Sequence, residues 1–158
     1  MGPSYVLSRW LFLRSLGLIF LIAFASLGVQ LRALIGEHGI WSAREYLGQI
    51  QQLTGASRFL QLPSLFWLNA SDAFLIALCW LGALLSVLLT FGVAPRWTLL
   101  ALWALYLSFA SATPVFLNYQ WDILLLETAA VALFIAPGGL HSGLDDQSRR
   151  LHRYTRAP

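Results

Sequence analysis

The sequence predicts an all-α fold, a polytopic membrane bundle of about four transmembrane helices plus one short interfacial amphipathic helix. Three observations predict it. Hydrophobic residues are 58% of the 158 and charged residues only 11%. The apolar residues come in runs of about twenty rather than on one periodic face, and about twenty residues at 1.5 Å rise cover the roughly 30 Å hydrocarbon core. In lipid every backbone polar group must be satisfied within its own segment, which makes helices the natural spanning form.

The spans are expected over Ser15 to Ile35, Ala73 to Gly92, Trp97 to Leu117 and Trp121 to Ala136. The fourth is short and needs 118–120 to reach the surface. Gly92 to Trp97 is tight and carries Pro95 and Arg96, so the second and third spans form an antiparallel hairpin. Arginine placement sets the orientation. With both termini inside, Arg9, Arg14, Arg96, Arg149, Arg150, Arg153 and Arg156 lie inside and Arg32, Arg44 and Arg58 outside, seven against three. The domain reading follows: residues 1–14 a cytoplasmic N-terminus, 15–137 the four-span module with outer loop 36–72, and 138–158 a basic cytoplasmic tail. A cleaved leader ending near Ala23, Phe24, Ala25 is the weaker reading, because Arg32, Leu34 and Ile35 carry the run past leader length.

The outer loop has its own pattern. Ser42 with Glu45 three residues on is a capping-box signature, and Ala43, Tyr46, Leu47, Ile50 and Leu53 recur at helical spacing opposite Gln49, Gln51 and Gln52. An interfacial helix with Arg44 and Glu45 in its first turn is expected, with Gly55 as its stop. The run from Arg58 through Phe59, Phe66 and Trp67 is too interrupted to span, and its aromatics suit the headgroup belt. Ser71 and Asp72 are placed to cap the second span.

Chemistry concentrates in the fourth span, where Gln120, Trp121, Asp122 and Glu127 put two acids into an apolar segment. A charge at the bilayer centre costs roughly 2.5 to 3.5 kcal/mol on insertion scales, so both acids are expected to face sister helices or a wet cavity. Arg32 at the exit of the first span is a candidate ion-pair partner for Asp122. Glu127 lies about 9 Å deeper than Trp121, within reach of Gln30 and Ser26 or of Tyr106 and Ser108. The expected structural polar network is therefore Gln30, Arg32, Gln120, Asp122 and Glu127. Five positions separate the acids, about 140° around a helix, so they do not form a catalytic pair on one face. The functional alternative makes Glu127 a proton carrier or general base. Small residues four apart (Ala73 and Ala77, Gly82 and Ser86, Ser108 and Ala112, Ala132 and Ala136) suit close helix approach.

Other classes lose ground. His38, His141 and His152 are scattered and Cys79 is single, so neither a metal site nor an internal disulfide is indicated, and no cofactor motif is present. Arg149, Arg150, Arg153 and Arg156 suit lipid headgroups better than nucleic acid.

Three segments together resemble the lipase maturation factor family. They are Gly36 with Gly39, Ile40, Ala43, Arg44 and Glu45; Arg58 to Trp67 ending at Ser71 and Asp72; and Gln120, Trp121, Asp122 through Glu127 and Thr128 to Ala136 and Pro137. The resemblance implies a multi-span protein of the endoplasmic reticulum, with bacterial relatives, that assists folding or assembly of secreted dimeric lipases without known catalysis. All ten basic residues are arginine, which suggests a GC-rich bacterial genome and a bacterial inner membrane in preference to the reticulum. Family members are much longer, so the chain resembles their first membrane module. A missing C-terminal half or a second membrane subunit is expected beside the lipid bilayer and a secreted lipase client. A distant similarity to vitamin K-dependent carboxylases keeps a membrane enzyme or proton-linked carrier using Glu127 as the rival. A small structural subunit of a membrane complex is the third reading.

Overall fold

A computed structural model describes residues 3–36, 39–54, 62–117 and 119–139. Among these the secondary structure is entirely helical: α1 (Pro3–Ile35), α2 (Ala43–Thr54), a 3₁₀ turn (Leu65–Trp67), α3 (Asp72–Phe91), α4 (Pro95–Ala112) and α5 (Gln120–Ile135). Among the described residues two helices are long and apolar enough to cross a membrane, Val6–Ile35 and Asp72–Phe91. At 1.5 Å per residue α4 and α5, with 18 and 16 residues, reach about 27 and 24 Å. Four helices therefore stand where spans were expected, with two of them shorter than a full crossing.

Local chemistry explains the ends. The first helix begins a dozen residues earlier than expected, because Arg14 does not interrupt it: its guanidinium lies 3.9 Å from the Trp10 ring centroid and donates to the Phe91 carbonyl at 3.4 Å. α3 ends at Gly92 in the left-handed conformation (φ 79°), and Val93 N–H bonds back to Leu88 O at 2.9 Å. Glycine carries no Cβ penalty there. Pro95 then opens α4, where its missing N–H costs nothing, so the antiparallel hairpin forms as expected. α4 stops at Ala112 rather than Leu117: Pro114 disfavours helical backbone at Thr113, whose hydroxyl turns back to the Phe109 carbonyl at 2.6 Å. Ser71 occupies the cap position of α3 but makes no side-chain cap bond; its N–H instead donates to Asn69 Oδ1 at 2.9 Å.

The bundle is organised by α1 lying along α3, with α4 against α3 and α5 against α4. Lipid offers no hydrophobic drive for helix association, so close approach and complementary packing must supply it. The close approach is visible at Gly17, where a Cβ would lie 2.6 Å from Thr90 Oγ1, and at Gly82, where it would lie 2.5 Å from the Phe24 ring. Gly82 with Ser86, Ser108 with Ala112 and Ala132 with Ala136 are all buried, whereas Ala73 and Ala77 face outward. The core is an aromatic column of Phe20, Phe24, Tyr106, Phe109 and Phe66 with edge-to-face contacts, Phe66 lying 4.8 Å from Phe109. Around it the outward surface stays apolar, including Ile22, Trp80, Leu84, Trp97, Val131 and Phe134.

Candidate functional site

The polar centre of the bundle is a pair, Tyr106 on α4 and Asp122 on α5. The Tyr106 hydroxyl donates to Asp122 Oδ1 at 2.5 Å, and both residues are buried. Helical phase brings them together. α5 turns Asp122, Leu125, Ala129 and Ala132 inward, and the small side chains let α4 come close. Phe20 and Phe24 pack edge-on to the Tyr106 ring at 5.8 and 5.6 Å, fixing the phenol in an apolar box with its oxygen aimed at α5. Asp122 Oδ2 is buried and has no hydrogen-bond partner among the described residues. An acid oxygen left so is costly, of order 1 to 3 kcal/mol or more for a charged group.

The two acids therefore have different surroundings, and the geometry revises the expected network. Glu127 is exposed, on the face of α5 occupied by Leu124, Val131 and Phe134. Tyr106 meets an acid of the expected fourth span, α5, as the site reading allowed, but that acid is Asp122. Arg32 is exposed and does not bond Asp122; Gln30 and Gln120 are exposed too. Of the five network residues only Asp122 enters the core. Ser108, expected beside Glu127, serves another element: its hydroxyl accepts from Leu65 N–H at 3.1 Å and donates to Ala104 O at 2.7 Å, while Ser64 donates to the Ser108 carbonyl at 3.1 Å.

These bonds fasten the 3₁₀ turn to α4 and alter the expected interfacial role of its aromatics. Phe66 is 2% exposed, in the protein core against Phe109 and Phe74 rather than among headgroups. Trp67 is half-buried and donates to the Leu62 carbonyl at 2.9 Å. The reason is satisfaction of the backbone: Ser64 and Ser108 supply the partners that a non-helical segment needs next to a membrane bundle. The short helix α2 forms as expected, with Glu45 N–H donating to Ser42 Oγ at 3.4 Å, Ala43 and Leu47 buried, and Arg44, Glu45 and the glutamines exposed. Gly55, Arg58, Phe59, the three histidines and the four tail arginines Arg149, Arg150, Arg153 and Arg156 lie outside the described residues. Cys79 is buried, and its thiol donates to the Phe24 carbonyl at 3.2 Å.

Beside the pair, between α1 and α5, runs a cleft of about 490 Å³ whose walls include Ile22, Ser26, Gln30, Tyr106, Trp121 and Asp122.

Apolar helices that keep hydrophobic outer faces while closing a hydrogen-bonded acid inside define an integral membrane helical module. The family model described as the lipase maturation factor transmembrane domain matches residues 7–152. Lipase maturation factor 2 of Xenopus laevis is 39% identical over 141 residues, covering 83% of this chain and 19% of that protein. The human lipase maturation factor 2 is 41% identical over 139 residues, with the same coverages of 83% and 19%. Mouse lipase maturation factor 1 is 34% identical over 143 residues, covering 85% of this chain and 25% of its own length. The chain belongs to the lipase maturation factor family, as the sequence resemblance indicated, and spans a fifth to a quarter of the length of these relatives. No solved structure matches it.

Proposed function

We propose that the chain is a non-catalytic membrane maturation or assembly factor for secreted lipase-like proteins. The observation that carries this reading is the family match over residues 7–152. The site geometry agrees with it: the buried acid is spent on a helix-to-helix hydrogen bond with Tyr106, an arrangement suited to holding a bundle. In this reading α1, α3, α4 and α5 all cross the bilayer, with α4 and α5 reaching the interface through their flanking turns. Both termini are cytoplasmic, in a bacterial inner membrane, with the tail arginines on lipid headgroups and α2 lying at the outer surface. A second membrane subunit, or a C-terminal half corresponding to the rest of the longer relatives, completes the client-handling assembly. The exposed Glu127 face of α5 is the natural side for it.

The test is removal of the gene from its host, followed by the specific activity and total amount of a secreted lipase. A fall of specific activity at unchanged synthesis supports maturation, and restoration by the full chain completes the test. Unchanged specific activity refutes it. The membrane-enzyme reading makes a separate forecast, in which Glu127→Gln abolishes function. A scaffold keeps function with that isostere, because the outward position of Glu127 calls only for shape and polarity.

A further inference from the structure

The cleft between α1 and α5 carries a polar band on an apolar wall. Along α1 it runs from Ile19 and Ile22 through Ser26 and Gln30 to Leu34, and the stretch from Ile19 to Gln30 rises about 16 Å at 1.5 Å per residue. The apolar stretch is continued on α5 by Leu125, and the polar band lies against Asp122, near the end of the bundle where α5 begins. Tyr119 and Trp121, stacked at 5.2 Å and both exposed, stand at that end. Such aromatics mark the membrane interface. Ser26 and Gln30 are exposed, and neither is hydrogen-bonded within the described residues.

Size and chemistry select the occupant. A volume of about 490 Å³ falls inside the roughly 300 to 1,000 Å³ range of ligand pockets. The wall contains no basic side chain, so an anionic head would meet a carboxylic acid and no counter-charge. Gln30 and Ser26 both donate and accept.

We propose that this cleft binds a single-chain lipid with a neutral, hydroxyl-bearing head, its tail along Ile19 and Ile22 and its hydroxyl at Gln30 and Ser26, entered sideways from the bilayer. The site is independent of the lipase reading.

Native mass spectrometry of the full chain in non-ionic detergent, with oleyl alcohol, methyl oleate and oleate offered at equal concentration, tests it. Oleyl alcohol is expected to be retained about tenfold over methyl oleate, which lacks a donor, and over oleate, which is anionic; the donor bond is worth about one to two kcal/mol, a factor of about ten. Ser26→Phe fills the groove from an exposed position and should abolish retention. Gln30→Leu leaves the groove open and should bring the alcohol-to-ester ratio near one, which keeps the proposal testable even where the phenylalanine variant fails to fold. Equal retention of alcohol and ester by the unaltered chain, or tenfold selectivity that survives Gln30→Leu, overturns the proposal. Cross-linking of two copies through Ile22→Cys, showing a second chain seated in the groove, overturns it as well.

Discussion

Asp122 and Glu127 sit on one helix five positions apart, and their fates are opposite. Asp122 is 4% exposed and takes a hydrogen bond from Tyr106, whereas Glu127 shares the outward face with Leu124, Val131 and Phe134. Residue type does not separate them, since both are carboxylic acids in an apolar helix. Phase does: at 100° per residue, Glu127 falls on the side nearly opposite the stripe of Asp122, Leu125, Ala129 and Ala132. An acid in a membrane helix ties its own bundle together when it shares a face with alanines, and it is presented to other molecules when it shares a face with large apolar residues.

That contrast breaks or sharpens under substitution. The largest loss should come from Tyr106→Phe, which leaves both oxygens of a buried acid without a donor and costs about 3 kcal/mol; unfolding of the purified chain in detergent measures it. Asp122→Asn keeps an acceptor for the phenol and should lose no more than about 1 kcal/mol by the same assay. A result as large as that of Tyr106→Phe would mean that the charge, rather than the hydrogen bond, matters to packing. Next in size is Gly17→Ala. Its new methyl meets both the Thr90 hydroxyl and the Thr90 backbone nitrogen, and overpacking of this kind costs about 1 to 3 kcal/mol. Cysteine cross-linking between α1 and α3 should slow in parallel. Ser108→Ala removes the acceptor of Leu65 N–H and should cost about 1 kcal/mol, seen first as faster proteolysis near the 3₁₀ turn. Smallest are Glu127→Gln and Arg32→Gln. Each should leave stability within about 0.5 kcal/mol, and a large effect of the arginine change would revive its pairing with Asp122.

Much of the architecture was legible in the sequence because apolar length and punctuation are local signals. Gly92 and Pro95 located the α3–α4 reversal, and Ser42 with Glu45 located the start of α2. The extra turns of α1 were not legible, since they depend on Arg14 finding Trp10 and the Phe91 carbonyl, a partner 77 positions away. The burial of Phe66 was missed for a similar reason: hydropathy places an interrupted aromatic segment at the interface, while the bonds from Ser64 and Leu65 to Ser108 draw it inward. The site itself was half legible. Depth singled out the acids and Tyr106, but pairing Tyr106 with the right acid needed the phase of α5. A signal for it was present, because Ala129, Ala132 and Ala136 mark the face that packs on protein.

The Ser108 bonds also bear on mechanics. The 3₁₀ turn ahead of α3 is hydrogen-bonded to α4 at Ser108, two positions along the chain from the tyrosine that closes on Asp122, and Phe66 packs on Phe109 beside it. A tug on that turn by anything docked to it is delivered within one helical turn of the phenol, so the turn doubles as a tether to the Tyr106–Asp122 contact.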